Sequence, residues 1–123
     1  MQIQFDNDRP IYIQLAEGIE DAILSGAFAE EEQIPSTTEI SVTFKINPAT
    51  ALKGIKLLVD EGALYKKRGV GMFVATGSVK EIIMKRKESF FDTYISKLVS
   101  EAEKLHVTKS EIISMIERGF DNE

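Results

Sequence analysis

The sequence contains no cysteine and no tryptophan, and its only histidine is His106. Without thiols the chain can form no disulfide and offers no thiolate as nucleophile or metal ligand. A single histidine with Glu101 and Glu103 nearby is a poor donor set for zinc or iron, and it reads more simply as a residue closing a helix. No apolar run approaches the ~20 residues that a membrane span needs. The start, Met1-Gln2-Ile3-Gln4-Phe5-Asp6, lacks the basic and then apolar segments of a secretion signal. No nucleophile–base pair is evident, and Gly69-Val70-Gly71 lacks the strand–loop–helix setting of a phosphate loop. These absences predict a soluble, cytoplasmic protein with no catalytic site, metal or cofactor and no membrane partner.

Basic residues are also scarce, 15 Lys and Arg against 20 Asp and Glu, for a net charge of −5. The total argues against a polyanionic partner, but the distribution does not. Residues 1–44 carry one base, Arg9, against nine acids. Residues 45–68 carry Lys45, Lys53, Lys56, Lys66, Lys67 and Arg68 against Asp60 and Glu61 only, and the remaining residues are near neutral. Salt confines a charge's field to about 8–10 Å, so a local basic segment counts for more than the sum. The blander reading is a solvated charged face.

At 123 residues the chain holds one ordinary domain, or a small domain with an appendage. Pro10 suits the first turn of a helix whose apolar stripe is Tyr12, Leu15, Ala16, Ile19, Ala22 and Ile23, stopped by Gly26. Glu30-Glu31-Glu32 reads as an acidic loop, and Ile34-Pro35 as a short extended lead-in. Ser36-Thr37-Thr38-Glu39 fits a capping box that opens a short helix over about residues 37–44. After the break Lys45-Ile46-Asn47, the pair Asn47-Pro48 gives an N-cap and a first-turn proline for a second helix. Ala51, Gly54, Ile55, Leu58 and Val59 face inward there, Gly54 for close packing on the preceding helix, and Gly62 ends it. Residues 63–67 and 70–74 read as two strands about Arg68-Gly69.

Helix, tight turn, helix and basic hairpin make a winged helix-turn-helix, a layout that puts one helix in a DNA groove. The fold class expected is mainly α with a small β-hairpin: a DNA-binding domain over residues 1–76 and a two-helix dimerisation tail over 77–123. From Ser78 the tail reads as one long amphipathic helix, followed by a short helix opened by the capping box Thr108-Lys109-Ser110-Glu111. Ile82, Ile83, Phe90, Phe91, Tyr94, Ile95, Leu98, Ile113 and Ile116 are its candidate dimer residues. Such a hairpin exposes more apolar face than it can bury alone. Folding back on the first domain is one solution; self-association is favoured, because helix-turn-helix readers generally work as symmetric pairs.

On the second helix Ala49, Thr50, Leu52, Lys53 and Lys56 are the candidate reading positions, for base edges, thymine methyls or phosphates. Leu52 fits an internal packing role equally well. Ser36, Thr37 and Thr38 lie at a helix start, where free amides favour a phosphate, although capping alone accounts for Ser36. Asn47, at the start of the reading helix, is a further candidate for DNA contact. Lys66, Lys67 and Arg68 are placed for backbone or minor-groove contact, with Gly69 and Gly71 letting the ribbon approach the sugar-phosphate chain.

Residues 10–74 resemble the N-terminal domain of the GntR family of bacterial transcription regulators. The likeness is carried by Pro10-Ile11-Tyr12-Ile13-Gln14-Leu15, Ile23-Leu24-Ser25-Gly26, Ile34-Pro35-Ser36, Glu39-Ile40, Asn47-Pro48-Ala49-Thr50, Glu61-Gly62-Ala63-Leu64 and Lys67-Arg68-Gly69-Val70-Gly71-Met72-Phe73-Val74. The Asn-Pro opening and short helical tail are similar to the YtrA subfamily. The resemblance implies a homodimeric repressor that binds double-stranded DNA, with the tail as dimerisation element. Thr38 stands where the family usually has a DNA-contacting arginine, Leu52 where it has a polar or basic residue, and Val70 where a basic residue is frequent. These departures bear on the operator sequence. A small-molecule effector is not legible here, although a cleft between two copies could hold one. The alternative function is a winged-helix protein-interaction module that no longer reads DNA.

Overall fold

The computed structural model describes residues 1–122 and divides into two compact units, Met1–Met84 and Lys85–Glu123. In the first unit, helix α1 (Ile11–Ser25) begins after Pro10, which lies outside the helix rather than in its first turn. The Pro10 carbonyl accepts the N–H groups of Ile13 and Gln14, and Gly26, at φ 87, stops the other end. Leu15, Ile19 and Ile23 are buried on one stripe, each worth about 1.5–3 kcal/mol of burial. They meet Ile34, Ile40, Ile55, Leu58, Leu64 and Val74 in a single core.

Helix α2 (Thr37–Phe44) opens with the capping box: Glu39 N–H donates to Ser36 Oγ at 3.1 Å, and Ser36 N–H to Glu39 Oε1 at 3.0 Å. Lys45, at φ 54, reverses the chain, and Asn47 Oδ1 accepts Ala49 N–H at 2.7 Å to start helix α3 (Pro48–Asp60). Ala51, Gly54, Ile55 and Leu58 of α3 are buried, while Val59 is only partly covered. Gly54 does allow close packing, but its neighbours are the Tyr12 carbonyl and Leu15 of α1, not the preceding helix α2.

Strands β1 (Leu64–Lys67) and β2 (Gly71–Val74) pair antiparallel, Leu64 opposite Val74 and Lys67 opposite Gly71. Their turn spans Arg68-Gly69-Val70, one residue longer than a two-residue hairpin, with Val70 N–H donating to Lys67 O at 2.9 Å and Gly69 at φ 77. The segment before α2 lies along β2: Ile34 N–H donates to Met72 O, and Val74 N–H to Glu32 O. The acidic loop is thereby a structural strap. The Glu31 carboxylate accepts from the Tyr65 hydroxyl and from both the N–H and the hydroxyl of Thr76. Glu30 accepts from the N–H groups of Gly77 and Val79 at 2.9 and 3.1 Å. These amides open helix α4 (Ser78–Phe90), where a negative charge is favoured.

The expected single long helix is interrupted. A π-helical stretch, Phe91–Ile95, follows α4, with Ser96 N–H reaching back to Phe91 O, and then comes α5 (Ser96–Leu105). His106, at φ 56, closes α5, and the Thr108–Glu111 capping box starts α6 (Lys109–Asp121). Ile82 was expected on a face presented to a second chain. It is instead 3% exposed and belongs to the core of the first unit, because the start of α4 packs there. The first unit accordingly extends to Met84, past the boundary expected at residue 76.

Candidate nucleic-acid interface

An open groove of about 490 Å³ runs between the start of α2, the outer side of α3 and the ribbon. Ser36, Thr37, Thr38, Leu52, Lys56, Lys66 and Gly71 line it, so residues from three separated stretches of sequence share one surface. Ile34, Ile55, Val59 and Met72 supply its apolar floor. The Ser36 hydroxyl is committed to the cap of α2, leaving the hydroxyls of Thr37 and Thr38 as the groove's own at this end.

Leu52 and Lys53 lie three and four residues after Ala49, and Lys56 lies four and three after them; all are exposed, while Thr50 is half-buried. Leu52 is 56% exposed, which decides between its two readings in favour of the outer face. The Lys53 ammonium lies 4.2 Å from the centroid of the Tyr12 ring, a cation–π contact worth about 0.5–1 kcal/mol at an exposed site. Asn47 spends its side-chain oxygen on the cap of α3.

The wing cations divide between the two faces of the ribbon, because side chains alternate along a strand. Lys66 pairs with Met72 and turns into the groove. Lys67 lies on the other face, its ammonium 4.2 Å from the Phe73 centroid, beside the Tyr65–Phe73 ring stack. Arg68, Gly69 and Val70 form the exposed tip.

Tyr65 also carries the link to the strap. Its hydrogen bond, followed by those of Thr76, holds the Glu31 carboxyl below its ordinary value, and Glu31 in turn raises the Tyr65 hydroxyl. The wing base is thus tied to the loop before α2 and to the turn before α4.

Three contributors escape a reading by sequence. Gln33 Nε2 donates to Val70 O at 3.0 Å and lies so close to Gly71 that a β-carbon there would collide with it. Tyr12 seats Lys53, and Glu31 braces the wing. Each acts across a long stretch of chain, so no local pattern marks it. Among the described residues no three His, Cys, Asp or Glu side chains converge as a metal site, and no helix is long and apolar enough to cross a membrane.

In the second unit Phe90, Phe91, Tyr94, Leu98, Ile113 and Ile116 are exposed and Ile95 is partly covered; Ile83, at the end of the first unit, is exposed as well. The rings of Phe90 and Tyr94 meet at 5.1 Å between centroids.

Residues 11–74 match the family model "Bacterial regulatory proteins, gntR family". The HTH-type transcriptional repressor YtrA of Bacillus subtilis is 26% identical over 130 aligned positions, covering all of this chain and 99% of that protein. The arabinose metabolism transcriptional repressor of Geobacillus stearothermophilus is 31% identical over 90% of this chain, which spans only 29% of that longer relative. Among solved structures, a GntR-family transcriptional regulator from Bacteroides thetaiotaomicron aligns at TM-score 0.72 with 33% identity, over 91% of this chain and 97% of that one. The DNA-binding domain of AraR, solved in complex with operator ORX1, aligns at TM-score 0.56 with 31% identity, over 61% of this chain and 96% of that one. The chain belongs to the gntR family of bacterial regulatory proteins and is similar to YtrA from end to end.

Proposed function

We propose that this protein is a cytoplasmic transcription repressor that binds an inverted-repeat operator as a homodimer. The observation that carries the reading is the groove that brings the start of α2, the exposed side of α3 and a cationic ribbon onto one surface. In this arrangement α3 enters the major groove with Ala49, Thr50, Leu52, Lys53 and Lys56. The start of α2, with Thr37 and Thr38 and the amides near Ser36, meets a phosphate, and Asn47 holds α3 at the angle of entry. Lys66 and Lys67, on opposite faces of the ribbon, suit the phosphates that flank a minor groove, with Arg68 and the Gly69–Gly71 tip between them. The solved complex of the AraR domain with its operator supports this role for a similar fold.

The second unit serves as the dimerisation element. Its side chains Phe90, Phe91, Tyr94, Leu98, Ile113 and Ile116 are exposed in the single chain and would be covered by a second copy. A symmetric pair of reading helices then meets two half-sites about one helical turn apart, ~10–10.5 base pairs. Selection of binding sites from a random duplex pool, followed by footprinting of the purified protein, tests the reading. Two protected half-sites related by dyad symmetry are expected. Failure to retain the protein on any duplex at low salt would remove the DNA-binding role and leave a protein-interaction module.

A further inference from the structure

The exposed face of α3 is poor in hydrogen-bonding groups. Asn47 Oδ1 is held by Ala49 N–H at 2.7 Å, and the Ser36 hydroxyl by Glu39 N–H. The Lys53 ammonium is drawn to the Tyr12 ring, 4.2 Å from its centroid. Neither α2 nor α3 contains an arginine, so the paired N–H fork that grips guanine O6 and N7 is missing. Besides Lys53 and Lys56, this face presents the methyl of Ala49 and, one turn on, a leucine that is 56% exposed. Lys56 and Lys66 line the same groove as Leu52, so cations stand beside the apolar contact, as a polyanionic duplex bearing methyl groups requires.

In the major groove the 5-methyl of thymine is the apolar group that a base edge offers. We infer that Leu52, assisted by Ala49, reads thymine methyl groups, so that the operator is recognised by apolar contact rather than by bidentate hydrogen bonds to guanine. The inference rests on the DNA-binding role proposed above. It assigns Leu52 a specificity-determining part and places thymine in each half-site where the first two turns of α3 lie.

The test uses the full chain and the duplex selected from a random pool. Each thymine is replaced in turn by deoxyuridine, which removes the methyl and leaves every hydrogen-bonding group. The wild-type protein should lose about fourfold in affinity at one or two thymines per half-site, equivalent to the ~0.8 kcal/mol of one buried carbon group. Leu52→Ala should bind the thymine and uracil duplexes equally, with an unchanged helical circular dichroism spectrum. Leu52→Met, which retains an apolar tip, should retain the methyl dependence. A selected site at which no thymine-to-uracil change matters would overturn this inference alone, as would a Leu52→Ala protein that stays as methyl-sensitive as wild type. Absence of binding to any duplex would overturn both this inference and the role it rests on.

Discussion

Gly54 of α3 lies against the main-chain carbonyl of Tyr12 in α1, so closely that a β-carbon at residue 54 would stand 2.9 Å from that oxygen and 3.0 Å from Leu15 Cδ2. The contact sets how deeply α3 seats on the core. An alanine gains about 1 kcal/mol of helix propensity, but crowding a packed core costs about 1–3 kcal/mol, and a backbone oxygen cannot swing aside. Gly54→Ala should therefore lower the melting temperature. Gly119→Ala is the control: nothing lies within 4 Å of a β-carbon there, so it should raise the melting temperature, by at most ~1 kcal/mol of stability. Thermal unfolding of both variants checks the pair.

The Glu31 strap makes stability depend on pH in a definite direction. Its carboxyl is depressed below 4.5 by the Tyr65 and Thr76 hydrogen bonds, so the stabilisation is in place above 4.5 and is lost as pH falls through the depressed folded value. Glu39 and Glu111, held by the capping residues Ser36 and Thr108, act with the same sign. Glu31→Gln removes one of these three contributions. Urea midpoints measured against pH should fall less steeply for the variant than for wild type below 4.5. Parallel curves would mean that the strap carries no charge-linked stability.

Much of this architecture is legible locally. Ser36-Thr37-Thr38-Glu39, Asn47-Pro48 and Thr108-Lys109-Ser110-Glu111 announce their helices because a cap is satisfied within a few residues of itself. Glu30 and Glu31 were not legible as a strap, since their partners Thr76, Gly77 and Val79 lie 45 to 49 residues away and an exposed carboxylate looks the same with or without them. Ile82 fits the apolar periodicity of the tail as well as it fits the core, and only the docking of the start of α4 separates the two. The exposure of Leu52 likewise follows from the angle at which α3 meets α1, which Gly54 sets through a residue 42 positions earlier.

The lysines and Arg68 should act without regard to sequence. Lys56→Ala, Lys67→Ala and Arg68→Ala are each expected to weaken binding to the selected operator and to a scrambled duplex by the same factor, the mark of a phosphate contact. Fluorescence anisotropy on the two duplexes separates the cases. A loss confined to the operator would move the residue concerned from backbone contact to base reading.

The proposed dimer can be challenged without disturbing the fold, because Tyr94 and Leu98 are exposed in the single chain. The double variant Tyr94→Glu, Leu98→Glu should sediment as a monomer with an unchanged helical circular dichroism spectrum, and should lose preference for a two-half-site duplex. Ile82→Glu should behave differently and unfold the first unit, since it puts a charge into the core. For the same reason a chain ending at Met84 should fold, whereas one ending at Gly77 would lose Ser78, Val79 and Ile82 from that unit. Sedimentation velocity and spectra of the four proteins distinguish these outcomes.

The salt dependence of duplex binding tests the central claim most directly. If α3 and the ribbon lie on DNA, neutralising phosphates must release counterions, so log K should fall linearly and steeply with log salt, by about 0.9 for each phosphate contact. With Lys53, Lys56, Lys66, Lys67 and Arg68 on two copies, the expected slope is on the order of −6 to −9, and replacing Lys67 and Arg68 together by alanine should flatten it. A wild-type slope near zero, or one indifferent to that double replacement, would contradict the account.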